Sequence, residues 1–127
     1  MKCEGKNNLL FYVEDKIGNK FGGFMSSKFI VKNKIEEIIK DENSFIFSIQ
    51  KQKKFKIIKP QNAIIINNSY LICFGGSFSL GNDLYICLNG SGGMNRTDYF
   101  GDKNFETTNG QSGFIIKEFQ VFELIFE

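Results

Sequence analysis

The stretch from Tyr70 to Leu88 constrains this chain most. Two apolar runs flank a loop that carries Gly75, Gly76 and Gly81 and closes on Asn82-Asp83. Leu71, Ile72 and Phe74 before the loop, and Leu84, Tyr85 and Ile86 after it, suit a packed sheet. The glycines suit a backbone that bends sharply or lets another backbone come close. The chain contains no histidine, so the loop lacks the usual acid/base residue. Recognition is the better expectation for it than chemistry.

The same rhythm of short apolar runs and turn signals fills the rest of the chain. Strands are expected over residues 9–13, 20–25, 45–49, 55–58, 63–66, 70–74, 83–88 and 114–126. Asp15-Lys16-Ile17-Gly18-Asn19, Pro60-Gln61-Asn62 and Asn67-Asn68-Ser69 mark turns between them. The paired Gly22-Gly23 reads as close backbone contact or a bulge. Residues 89–113 are polar and glycine-rich, with Tyr99-Phe100 a candidate edge strand. In the tail, Phe114 and Ile116 share one face, Phe119 and Val121 the other, and Phe122, Leu124 and Phe126 switch back. Such phase changes imply bulges or a strand covered on both faces.

Only residues 33–40 read as a helix. Asn33 suits its cap, Glu36 and Glu37 its first turns, and Lys40 its end, while Ile35, Ile38 and Ile39 fall on one stripe. Many short strands with so little helix predict a mainly β (α+β) fold: a two-layer antiparallel β-sandwich with one or two short flanking helices. At 127 residues, with no linker or internal repeat, residues 1–127 form one domain.

Composition excludes several classes of function. Sixteen basic against fourteen acidic residues leave a charge of +2, too little to argue for nucleic acid or an anionic membrane as partner. The run Lys51, Lys53, Lys54, Lys56 and Lys59 reads as a hairpin turn with a solvated face. Cys3, Cys73 and Cys87 have no metal-ligand spacing, and no cofactor is expected. An odd cysteine count without a secretory signal points to reduced thiols in a cytoplasmic protein. The apolar run at 9–13 is too short for a signal peptide or an integral membrane segment. No signal in the chain fixes an oligomeric state.

Without histidine, Ser–His–Asp and Cys–His nucleophilic catalysis are excluded. The glycine loop lacks the Lys-Ser/Thr ending of a phosphate cradle. Carboxylates interrupt the apolar runs at Asp83, Glu118 and Glu123. Asp83 suits capping of its own turn, and Glu118 must be exposed, paired or hydrogen-bonded. One alternative is a carbohydrate-binding or hydrolytic sandwich that uses Asp83 and Glu118 across a cleft. Another is a redox-responsive protein acting through Cys73 or Cys87.

Four blocks, in order, give the chain a resemblance to a known family. They are Gly18-Asn19-Lys20-Phe21-Gly22-Gly23-Phe24, then Asp41-Glu42-Asn43-Ser44-Phe45-Ile46-Phe47-Ser48-Ile49. The third is Phe74-Gly75-Gly76 leading to Asn82-Asp83-Leu84-Tyr85-Ile86, and the last runs from Phe114 to Phe122. Together they resemble the TLDc family of oxidation-resistance-type proteins, over nearly the whole chain. The resemblance implies a β-sandwich with flanking helices and no established catalytic site. It also implies a protein-interaction module, linked in family members to oxidative-stress resistance and, in several eukaryotic cases, to binding of the vacuolar proton-pumping ATPase. It begins near Cys3-Glu4-Gly5-Lys6, so the family's upstream strand and helix are expected to be missing. On this reading the chain is non-catalytic, and Gly22, Gly23, Gly75, Gly76, Asp83 and Glu118 are the candidate partner-binding residues. The glycines would set backbone shape, and Asp83 and Glu118 would supply directional polar contacts.

Overall fold

The computed structural model describes residues 3–30, 36–67, 70–76 and 81–126. Among the described residues ten strands form in chain order: β1 (Leu9–Asp15), β2 (Lys20–Met25), β3 (Glu36–Ile39), β4 (Phe45–Ser48), β5 (Lys53–Lys56), β6 (Ile64–Asn67), β7 (Tyr70–Phe74), β8 (Leu84–Cys87), β9 (Ser91–Gly93) and β10 (Gly113–Glu123). Single 3-10 turns, Pro60–Asn62 and Glu106–Thr108, complete the regular structure. Every strand pairing is antiparallel, as the hairpin-rich sequence requires.

The strand order is β3-β6-β7-β8-β9-β10-β1-β2-β4-β5. It folds back on itself at β10, whose first residues pair with β9 and whose remainder pairs with β1. Phe11 of β1 and Phe74 of β7 stand four strands apart in that order, yet their ring centroids are 6.1 Å apart. Phe21 of β2 meets Phe114 at 4.8 Å. The two halves are therefore stacked layers around a shared core. The first sheet is β10-β1-β2-β4-β5, the second β3-β6-β7-β8-β9-β10, and the antiparallel sandwich is as expected.

The corner depends on one extra residue. Asp15 pairs with Ile116 but Glu14 pairs with Glu118, which leaves Lys117 in a bulge. A bulge absorbs one residue and bends the strand. Phe114 and Ile116 before it, and Phe119 and Val121 after it, therefore all pack on the core. Of the phase changes expected in the tail, this bulge is the one found. It keeps Phe119 and Val121 on the face of Phe114 rather than on the other, and from Glu118 to Glu123 the register with β1 runs without a second shift.

The flanking helix is not found. Residues 36–39 of the expected 33–40 helix form β3, antiparallel to β6 from Glu36↔Asn67 to Ile39↔Ile64, and residues 33–35 lie outside the described set. An eight-residue helix is not stable without packing, and β6, lined by buried isoleucines, offers a full ladder of hydrogen bonds instead. Among the described residues there is no α-helix, and no helix is long and apolar enough to cross a membrane. Tyr99-Phe100 is a turn rather than an edge strand; the strand in that region is the glycine-bearing β9. The lysine-rich run does form a hairpin turn and the edge strand β5, and lysines protect such edges from further pairing.

Candidate functional site

Gly22 and Gly23 lie in the middle of β2, and the register with both neighbouring strands runs through them without a shift. The bulge considered for this pair is absent; close packing explains them. A Cβ on Gly23 would stand 2.4 Å from the Phe74 ring, and one on Gly22 would sit 2.9 Å from the Phe47 ring while striking the Phe11 carbonyl. Gly23 thus lets an aromatic ring of the second sheet rest on the backbone of the first.

Phe74 leads directly into the glycine loop. Gly75 and Gly76 have φ of 76° and 96°, where only glycine is unstrained. A Cβ on Gly76 would run into the Gly81 carbonyl, so the two arms of the loop touch. Residues 77–80 lie outside the described set. Asn82 ties the arms together: its Nδ2 donates to the Gly75 carbonyl at 2.8 Å, and its backbone N–H donates to Asn95 Oδ1 at 2.7 Å. Asn62 Nδ2 donates to the Gly76 carbonyl at 3.2 Å.

Asp83 is fully buried beneath the following loop. Its Oδ2 accepts the backbone N–H of Tyr99 at 3.1 Å and of Phe100 at 2.8 Å, so one carboxylate oxygen fixes the 95–100 turn. Its Oδ1 is buried with no hydrogen-bond partner. Burial pushes the Asp83 carboxyl up to about 6; the two N–H donors hold it down, and nearby Asp98 adds to the rise. Asp83 does cap a turn, but the distant 95–100 turn rather than its own, which the sequence had suggested. A direct contact with a partner is closed to it in this conformation, because no part of it reaches the surface.

Above Asp83 the same turn presents a compact ionic and aromatic cluster. Arg96 grips Asp98 with two donors, Nε to Oδ1 at 3.0 Å and Nη2 to Oδ2 at 2.8 Å, and Lys59 Nζ joins at 2.9 Å. These bonds, Arg96 first, hold the Asp98 carboxyl well below the usual carboxylate range. Both cations lie over the Tyr99 ring, Lys59 at 5.2 Å and Arg96 at 5.1 Å from its centroid. Sequence reasoning missed the cluster, since Lys59 and Asp98 are far apart in the chain; the Arg96-x-Asp98 spacing was its one local trace.

Glu118 stands elsewhere. It is exposed on β10 opposite Glu14, on the face of the first sheet turned away from the core. Gly75, Gly76 and Asp83 are thus brought together, while Glu118 is not. The cleft imagined between Asp83 and Glu118 has no counterpart, because one carboxylate is enclosed and the other faces solvent. A depression of about 360 Å³ between the 15–19 turn and β9–β10 is lined by residues including Lys16, Gly92 and Phe114, and by neither carboxylate. Among the described residues no group of three His, Cys, Asp or Glu side chains could hold a metal ion. Cys73 is buried and Cys87 half-buried, and burial raises both thiols.

The family model for the TLDc domain matches residues 1–125 of the 127. The chain matches no curated protein.

Proposed function

Because the chain belongs to the TLDc domain family, we propose that it is a non-catalytic, cytoplasmic interaction module that binds subunits of the vacuolar proton-pumping ATPase and so contributes to oxidative-stress resistance. The observation that carries this reading is the family match along nearly the whole chain. Local geometry supports it: a hydrogen-bonded loop cluster is held between β7, β8 and the 95–100 turn, and loops on a rigid frame are where recognition concentrates. In this reading Gly75, Gly76 and Asp83 act from inside, by fixing the shape of the 95–100 turn. The direct contacts come from the side chains above it, the exposed Lys59 and the half-buried Arg96, Asp98 and Tyr99. Gly22 and Gly23 act one step further back, by seating Phe74.

Affinity capture from cells, with pump subunits scored by mass spectrometry, tests the reading. Subunits are expected with the parent chain and are expected to fall several-fold with Lys59→Glu, whose side chain is exposed; losing its ion pair with Asp98 should lower the unfolding free energy by only about 1 kcal/mol. Capture without any pump subunit, repeated under oxidative challenge, would remove the pump from the proposal.

A further inference from the structure

The strand register places every outward-facing residue of the first sheet. One row across it reads Phe122, Leu10, Phe24, Phe45 and Lys56, from β10 through β1, β2 and β4 to β5. The next reads Gln120, Tyr12, Gly22, Phe47 and Lys54, and the third begins Glu118, Glu14, Lys20. This is the sheet's outer side, because the alternate residues Phe11, Val13, Phe21 and Ile46 are the ones in the core. Its centre is aromatic: Phe24 stacks on Phe45 at 5.1 Å, Phe45 meets Phe47 at 6.2 Å, and Phe126 of the tail leans on Phe24 at 6.3 Å. Phe122 is 43% exposed and Phe126 68%. An apolar band of this kind on a surface marks an interface.

We infer that this face pairs with the same face of a second copy of the chain, about a two-fold axis that runs along β2. The argument for a second copy is charge placement. The β5 margin carries the exposed Lys54 and Lys56, and the opposite margin carries the exposed Glu118. Among the described residues Glu118 has no cation within ion-pair distance, and Lys54 only covers the Phe45 ring. A rotation about an axis parallel to the middle strand lays β5 of one copy over β10 of the other. Lys56 then meets the Phe122 ring of the other copy, and Lys54 lies one row from its Glu118, within a lysine's reach. Phe45 falls on Leu10 and Phe47 on Tyr12, in the aligned stacking that sheets prefer. Such an interface is self-complementary, as a closed dimer requires.

Five strands at about 4.8 Å spacing and three rows of side chains give a face of roughly 20 by 20 Å. That is about half of the ~800 Å² per partner of a standard interface, the size class of weak and transient encounters.

This inference is independent of the pump reading, since its readout is the mass of the purified chain. Sedimentation equilibrium from about 1 to 300 μM should show a monomer–dimer equilibrium with a dissociation constant on the order of 10–100 μM. Lys54→Glu and Glu118→Lys, both at exposed positions, should each weaken it several-fold without moving the melting temperature. The double variant K54E/E118K, which exchanges the two charges, should restore it. A monomer at every concentration overturns the inference, including one that binds lipid vesicles or a helical peptide through this face. A dimer indifferent to both single reversals, or one the exchange fails to restore, overturns it equally.

Discussion

Buried carboxylates do most of the local fastening in this molecule, and they differ in what they cost. Asp15 accepts from the Ile17 and Asn19 backbones, and Asp102 from those of Glu106 and Thr107. Asp83 does the same for Tyr99 and Phe100 but keeps one oxygen unpaired, and its acid is raised. A raised carboxyl means that the folded state holds the proton more tightly than the unfolded chain. This group therefore costs stability above pH 6, and the cost fades as the pH falls from about 6 toward 4, the reverse of an ion-paired carboxylate. A rise of two units corresponds to about 3 kcal/mol. Asp83→Asn cannot titrate, so its stability relative to the parent should fall by about 2–3 kcal/mol between pH 7 and pH 4, read from urea midpoints along that series. A constant difference would mean that Asp83 does not carry the buried charge. Asp98 has the opposite sign: Arg96 and Lys59 hold it low, so its contribution is lost only below pH 4, outside that window. Asp83→Ala strands two N–H groups and should cost about 2–4 kcal/mol at pH 7.

At the scale of elements, what was legible in the sequence is what local pattern encodes. β1, β2, β4, β7 and β8 announce themselves through apolar runs between turn signals, and Gly22-Gly23 and Gly75-Gly76 through a need that only glycine meets. β3 was not legible, because Glu-Glu-Ile-Ile fits a helix stripe as well as an edge strand, and its β6 partner lies about 25 residues away in the chain. β9 was hidden for a different reason. Ser91-Gly92-Gly93 has no apolar or β-branched side chain to signal a strand, and Gly92 is glycine because the Tyr85 carbonyl and the Phe114 ring occupy the place of its Cβ. Asp41 was invisible as a clamp. Its carboxylate takes the Ser26 N–H and hydroxyl, each at 2.6 Å, and the N–H groups of Ser27 and Asn43 at 3.0 Å, which ties the end of β2 to the start of the β4 hairpin. Asp41→Ala should lower the unfolding free energy by about 2–4 kcal/mol. Gly23→Ala tests the seat of Phe74: alone it should cost about 2–3 kcal/mol through overpacking, and less once Phe74→Leu has made room. Simple additivity in that double-mutant cycle would show that the ring does not rest there.

Over the whole molecule, the thiols report how firmly the outer face of the second sheet is covered, since the alternate residues Ile72, Phe74, Leu84 and Ile86 are the ones in the core. Cys73 sits across from Tyr85 and Cys87 across from Tyr70, so the two cysteines are diagonal on one face of the second sheet. Diagonal neighbours stand about 7–8 Å apart, beyond the Cα separation that a disulfide spans. Oxidation in the folded state should therefore not join them. Cys73 is fully enclosed and its thiol is raised by that burial, so at neutral pH it presents almost no thiolate and no path to a reagent. Cys87 is only partly covered. With a thiol-reactive probe, Cys87 should label in minutes, and Cys73 only as fast as its surroundings open. If global unfolding is what uncovers it, its labelling rate is proportional to the equilibrium constant for unfolding and rises with Asp41→Ala by the factor that variant's lost stability dictates. Equal rates for the two cysteines would place a local opening at β7–β8, and a redox role for Cys73 would then return. Protection at the global level would instead make β7, which carries Phe74 against Gly23 of the facing sheet, part of the last structure to unfold.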